Sequence, residues 1–213
     1  LRNAGVFVRT VSSRPSGGEF ELDLRVPRNF PYQAIRENDV VILSAAISSP
    51  DVCAGQLELA RQINVTGTSE FIQGCLGRGA KVVFLSSDVV YGPSMEERDE
   101  TAEPNPVGDY ALMKRAIETQ FATYPTFKAF RLSYVFSRSD KFTSYLSACI
   151  KENRIAEVFH PIYRRVVYIE DFLDLLRLVC IDWNSVPARV LNICGPELLS
   201  RVDMASVFEA IQV

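Results

Sequence analysis

Short, continuous apolar runs alternate with stretches of helical periodicity along most of this chain, and that alternation narrows the fold more than any other feature. "GVFVRTV" (Gly5–Val11), "DVVILSAA" (Asp39–Ala46), "KVVFLSS" (Lys81–Ser87), "FKAFRLSYVF" (Phe127–Phe136) and "ARVLNIC" (Ala188–Cys194) read as strands. "LELARQINVTGTSEFIQGCLGRG" carries Leu57, Ala60, Ile63, Phe71, Ile72 and Cys75 at helical spacing and stops at Gly77 and Gly79. "GDYALMKRAIETQFA", "SYLSACIKEN" and "YIEDFLDLLRLVCI" read as further helices. "SRVDMASVFEAI" begins at a Ser N-cap with Asp203 three residues on, a weaker form of the capping box. Strands that are apolar throughout need cover on both faces, and strand–helix alternation builds a parallel sheet with right-handed crossovers. The expected fold class is α/β, a doubly wound parallel sheet. The alternation breaks from about Ser137, so a main domain is expected over 1–136 and a small mixed lobe, with a returning strand and helix, over 137–213.

The chain has 213 residues, enough for that architecture and one appendage. Its net charge of −3 sets up no field favouring nucleic acid or an anionic membrane. No apolar run reaches the roughly 18 residues of a bilayer span. The five cysteines (Cys53, Cys75, Cys149, Cys180, Cys194) are scattered without a CxxC, and His160 is the only histidine. No metal site is expected, and the cysteines read as reduced core residues of a cytoplasmic protein. His160 reads as a loop residue without chemistry, and Trp183 as packing at a helix end.

In a doubly wound sheet the ligand crevice lies at the carboxyl ends of the strands. "SSDVVYG" stands at one such end and "AAISSPD" at another. Ser and Asp also simply stop strands and start turns, so the first motif alone is weak. The second motif is "YALMK", with Tyr110 and Lys114 four residues apart on one helix face. A free phenol titrates near pH 10, and a neighbouring ammonium favours the phenolate. Bringing Tyr110 to neutrality requires roughly 4 kcal/mol of differential stabilisation. A group so tuned works as a general acid or base, and a Ser hydroxyl beside it donates to an oxygen gaining charge. With eight tyrosines, a chance YxxxK is common. A strand ending in hydroxyls, a Pro-containing loop and then a YxxxK helix is a far more specific order.

In that order the motifs resemble the extended short-chain dehydrogenase/reductases, which act mainly on nucleotide sugars, and the likeness runs nearly end to end. "NDVVILSAA", "INVTGT", "VVFLSSDVVYG", "YALMK", "FRLSYVF" and "RRVVYIEDF" each resemble a family segment. "RVLNICGPELLSRVDMA" is typical of the dTDP-4-dehydrorhamnose reductase branch. The resemblance implies a Rossmann-like domain with a substrate lobe. It implies Ser87, Tyr110 and Lys114 as the catalytic set. It places Ser12, Arg14, Asp23, Leu24, Ala45, Ala46, Asn64, Ser86 and Leu132 at the cofactor, with Tyr110 and Lys114. It places Asp88, Tyr134 and Arg164 at a nucleotide-sugar substrate. Asn64 has a second reading, in which it orients its helix. The implied reaction is NAD(P)-dependent reduction of a keto group, with Tyr110 as proton donor. A 4-epimerase, or a non-catalytic NAD(P)-binding regulatory protein on the same scaffold, is the alternative. A homodimer is compatible with the family.

The chain departs from the family at its start. The family opens with a strand and a glycine-rich loop whose amides hold the pyrophosphate at a helix N-terminus. No such loop occurs here. "GCLGRG" (Gly74–Gly79) closes a helix before a strand, the reverse of what phosphate binding needs. "LRNAG" reads as a helix end before the family's second strand, so an upstream segment is expected. The second strand of this fold carries an acidic residue that selects NAD. Here "VFVRTVSSRP" offers Ser12, Ser13 and Arg14 instead, which suit a 2′-phosphate. The expected cofactor is NADP, with NAD the alternative. Asp23 is expected near adenine in either case.

Overall fold

The computed structural model describes residues 6–14, 17–94, 96–158 and 163–211. The expectations for residues 1–5 and for His160 lie outside the described residues. The strands are β1 (Val11–Ser12), β2 (Phe20–Glu21), β3 (Val40–Leu43), β4 (Lys81–Ser87), β5 (Phe127–Leu132), β6 (Tyr134–Phe136), β7 (Tyr163–Tyr168), β8 (Val190–Ile193) and β9 (Leu198–Ser200). The helices are α1 (Pro50–Gly55), α2 (Leu57–Arg61), α3 (Thr68–Gly77), α4 (Asp109–Phe121), α5 (Lys141–Lys151), α6 (Ile169–Ile181) and α7 (Arg201–Ile211). The fold is α/β: a Rossmann-like parallel sheet with flanking helices.

The chain divides into two units. The first holds residues 1–131 and 177–192, the second 132–176 and 193–213. A single cut after 136 was expected. Instead the chain returns to the first unit because β8 takes its place beside β5, where the Ala129 amide donates to the Arg189 carbonyl at 2.8 Å. The run "FKAFRLSYVF" reads as one strand in sequence but breaks at Ser133, and its second half, β6, joins a different sheet.

In the first unit β3, β4, β5 and β8 lie side by side, and β3 runs parallel to β4 with Val40 opposite Lys81. β1 and β2 form a separate parallel pair, Val11 opposite Phe20. Among the described residues only Val11 of the expected first strand, Gly5–Val11, pairs as β-structure, with Ser12 just beyond it. Arg9, within that run, bonds the Ala34 carbonyl and the Asp39 carboxylate instead. Among the described residues β1 pairs only with β2 and β3 only with β4. A cavity of about 430 Å³ near these strands is lined by Val8, Val11, Phe20, Ile35, Val40 and Ile42. The core joins the sheet to its helices through Leu43, Val82, Phe84, Phe127 and Ala129 against Phe71, Ile72, Cys75, Ile117 and Phe121. Cys53, Cys75 and Cys149 are buried as expected, but Cys194 is exposed.

α2 and α3 form one helical run whose middle, Gln62–Gly67, is wound as a π-helical turn. Gly67 within it is a packing requirement, since a Cβ there would stand 1.6 Å from the Leu24 carbonyl oxygen. α3 stops at Gly77, and Gly79 follows with φ +74° before β4, so "GCLGRG" is a helix end.

The second unit pairs β6 parallel with β7, and β7 antiparallel with β9. α5 is capped by Asp140, whose carboxylate accepts from the Phe142 and Thr143 amides. α7 opens as its sequence announces: the Ser200 hydroxyl and amide both donate to Asp203 Oδ2, and Ser200 Oγ accepts from the Asp203 amide. Among the described residues no helix is long and apolar enough to cross a membrane.

Candidate active site

β4 ends at Ser87 and turns at once into a tight 3-10 turn, Asp88–Tyr91. Ser87 caps that turn. Its Oγ accepts from the Val89 amide at 3.4 Å and donates to Asp88 Oδ1 at 3.3 Å. Gly92 closes the turn at φ +72°, with the Asn105 carbonyl so near that a Cβ would meet it at 2.2 Å. The chain then runs through the Pro-containing loop into α4, which carries Tyr110 and Lys114 one turn apart.

Lys114 ties the two motifs together. It is 5% exposed, and its Nζ donates to the Leu85 carbonyl at 2.7 Å, two residues before Ser87. The ammonium lies 4.5 Å from the centre of the Phe84 ring and 5.6 Å from that of Tyr110. The YxxxK helix and Ser87 therefore meet at one end of β4. Burial pushes the Lys114 pKa down to about 8, against the opposing pull of Glu118 and Cys53. Lys114 therefore gives up its proton more readily than a solvated lysine.

Ser86 behaves differently from the sequence expectation. It is 3% exposed, and its hydroxyl donates to Glu118 Oε1 at 2.6 Å. Strand alternation sends neighbouring side chains to opposite faces, so Ser86 points into the protein where Ser87 does not. Glu118 is held in turn by Arg131, whose Nη2 donates to Oε2 at 2.7 Å and whose Nε reaches both carboxylate oxygens. Arg131 Nη1 donates to the Tyr91 hydroxyl at 2.6 Å, and Tyr91 donates to Asn192 and to the Asp99 carbonyl. The side chains of Glu118 and Arg131 are 1% and 3% exposed. Sequence reasoning missed this network. Its one trace is a Glu between Ile117 and Phe121, on the apolar stripe of α4 that faces the core.

Several cofactor candidates line one cleft of about 440 Å³ in the first unit: Ser12, Asp23, Leu24, Ala45 and Ala46, with Ser13 and Ile47. They come from the ends of β1, β2 and β3, which are distant in sequence. Asp23 is held by Arg25 in a two-pronged ion pair, which keeps its carboxyl below the usual range. Arg14 is exposed, and its amide donates to Ser12 Oγ at 3.1 Å. Asn64 sits in the π-helical turn, 4% exposed. It accepts from the Ile47 amide at 2.8 Å and donates to the Ile47 carbonyl at 2.9 Å. Its side chain thus fixes the loop after β3, in line with the orienting role. A π-turn at such a point is common near functional sites. Leu132 falls in the second unit.

The second unit has its own cavity of about 740 Å³, lined by Tyr134, Asp140, Lys141, Phe142, Tyr145 and Arg201 among others. The Tyr134 hydroxyl donates to Asp140 at 2.5 Å, and burial pushes its pKa up to about 12. Burial alone would raise Asp140. Donors from Tyr134, Thr143 and Ser137 outweigh it and hold the carboxyl low. Arg201 was not foreseen from sequence. Its guanidinium lies 4.0 Å from the centre of the Tyr134 ring and 4.5 Å from that of Phe142. Among the described residues it has no carboxylate partner. A guanidinium close to two rings and lining a cavity suits an oxyanion. Arg164, the other substrate candidate in this unit, lies on β7 opposite Leu199. Asp88, in the first unit, follows Ser87 directly.

Comparison with known proteins agrees with this architecture. The dTDP-4-dehydrorhamnose reductase of Mycobacterium tuberculosis (strain CDC 1551 / Oshkosh) is 27% identical over 184 residues, 82% of this chain and 60% of that relative. The chain thus spans 60% of the length of the curated reductase it matches. MoeE5, solved with UDP-glucose and NAD, superposes with a TM-score of 0.80 at 23% identity, covering 99% of this chain and 75% of that one. RMD from Pseudomonas aeruginosa, solved with NADPH, gives a TM-score of 0.71 at 22% identity, covering 90% and 73%. The family model of the RmlD substrate binding domain matches residues 17–211, and this chain belongs to that family.

Proposed function

We propose that this protein reduces a keto group on the sugar of a nucleotide sugar, using NADPH, with Tyr110 as the proton donor. The observation that carries the reading is the bond from Lys114 to the Leu85 carbonyl, which sets the YxxxK helix at the strand end bearing Ser87. When bound, the reduced nicotinamide supplies the hydride that goes to the carbonyl carbon. Tyr110 gives its phenolic proton to the carbonyl oxygen, which leaves an alcohol. Lys114 stabilises the phenolate that remains and holds the nicotinamide ribose. Ser87 donates to the oxygen as negative charge develops on it.

The cleft lined by Ser12, Ser13, Asp23, Leu24, Ala45 and Ala46 suits the adenosine end of a dinucleotide, since it offers hydroxyls and a carboxylate together with apolar side chains. A glycine-rich cradle for the pyrophosphate has no counterpart in residues 1–213. In the second unit the Arg201 cavity takes the diphosphate of the substrate, an assignment supported by the two rings that hold the guanidinium. Calorimetric titration with dTDP and with thymidine tests this. dTDP should bind at least about tenfold more tightly, since charge-assisted hydrogen bonds contribute roughly 1.5–3 kcal/mol. Arg201→Met should abolish the difference. Equal affinity for the two ligands in the unaltered protein would remove the diphosphate from this cavity.

A further inference from the structure

We propose that Glu118 is a positioning residue: through buried bonds to Ser86 and Arg131 it fixes the end of β4 against α4, and its carboxylate is the counter-charge facing Lys114. The proposal rests on the reading of Tyr110 and Lys114 as catalytic, and it adds a residue that touches neither substrate nor cofactor.

The geometry is specific. Glu118 lies one helical turn beyond Lys114, so the two side chains share a face of α4. One carboxylate oxygen accepts from the Ser86 hydroxyl at 2.6 Å, and Ser86 immediately precedes Ser87. The carboxylate is also gripped by Arg131 from β5 and approached by Arg115 from its own helix at 3.3 Å. One buried side chain thus links the strand that carries Ser87, the neighbouring strand and the helix that carries Tyr110. Around Lys114 stand Glu118 and Tyr110 on its own helix, Cys53 from α1, and the Phe84 ring and Leu85 carbonyl from β4. Arg131 stands behind Glu118. Of these groups, Glu118 is the carboxylate.

Buried ion pairs are weak devices for stability, because desolvation offsets most of the attraction. A role in orienting the strand end and balancing charge accounts for the placement of this one. The two charges of the pair then act on Lys114 with opposite signs. Removing the carboxylate leaves the ammonium facing a guanidinium. Removing the Arg131 guanidinium leaves it facing a carboxylate whose remaining cationic partner is the partly exposed Arg115.

The test reads Lys114 directly. The chain has five lysines, so a protein labelled with 13C at lysine gives few side-chain signals, and Lys114→Arg assigns the one of interest. Titration of that signal should show a lower midpoint in Glu118→Gln than in the unaltered protein, and a higher one in Arg131→Met. The double variant Glu118→Gln/Arg131→Met, which removes both charges together, should return the midpoint close to the starting value. It remains informative if either single variant does not fold. A midpoint that stays put, or moves the same way in both single variants, overturns the proposal. So does a double variant whose midpoint departs as far as that of Glu118→Gln. Because the readout needs no substrate, its failure is separate from a failure to reduce keto-sugars.

Discussion

At the scale of single residues, the placement of the two candidate motifs was legible because their spacing is local. Tyr110 and Lys114 share a helix face whatever the tertiary structure, and Ser87 ends a strand that reads as one. What could not be read is which partner a side chain selects. Ser86 and Ser87 are neighbours in sequence, yet Ser86 is committed to Glu118 and Ser87 to the turn that follows. Alternation along β4 foretold that they part, but not what Ser86 meets. Arg201 is a clearer case, since Tyr134 and Phe142 lie far from it in sequence. Two predictions belong here. Arg14→Ala should weaken NADPH binding much more than NADH binding, measured by nicotinamide fluorescence; equal losses would make Arg14 a plain turn residue. The second concerns Lys114, whose pKa falls from 10.5 to about 8 on burial. A lysine with a depressed folded-state pKa opposes folding most below that value, and the penalty fades as pH rises toward its unfolded value. Lys114→Met should therefore gain stability over the unaltered protein at neutral pH. The gap should narrow from about 8 upward, a trend that denaturant titrations at several pH values will show.

At the scale of elements, β4 and α4 matched the sequence reading almost to the residue, because each is long and strongly periodic. The run Phe127–Phe136 did not, because apolar pattern alone cannot tell one strand from two that leave for different sheets. β9 was missed for the opposite reason: its three residues are too short to show a period. The π-helical turn at Gln62–Gly67 is also invisible to periodicity, although it sets Asn64 against both backbone groups of Ile47. It brings Gly67 hard against the Leu24 carbonyl, in the wall of the cleft. Gly67→Ala should therefore force the backbone apart and destabilise the protein by about 1–3 kcal/mol, the usual cost of overpacking. It should also lower dinucleotide affinity. An alanine variant with unchanged denaturation midpoint would mean that helix and loop yield freely at this point.

At the scale of the whole molecule, the doubly wound plan followed from alternation, while the division into units did not. The chain enters the second unit at Leu132, returns at Arg177 and leaves again at Ile193, so no single cut in the sequence describes it. The first unit holds a cleft and the candidate residues Ser87, Tyr110 and Lys114, and the second holds a cavity lined by Tyr134 and Arg201. Family membership and fold agree with a role on nucleotide sugars, and the reaction itself hangs on Tyr110. The most direct measurement is NADPH consumption with a dTDP-4-keto-sugar, comparing the unaltered protein with Tyr110→Phe, which keeps the ring and removes the hydroxyl. Turnover by the unaltered protein and a loss of roughly 10²–10⁴-fold in kcat, with KM little changed, is the expected result. Equal rates for the two proteins, or no turnover by either in the presence of bound NADPH, would contradict the assignment of Tyr110 as proton donor in a keto-sugar reductase.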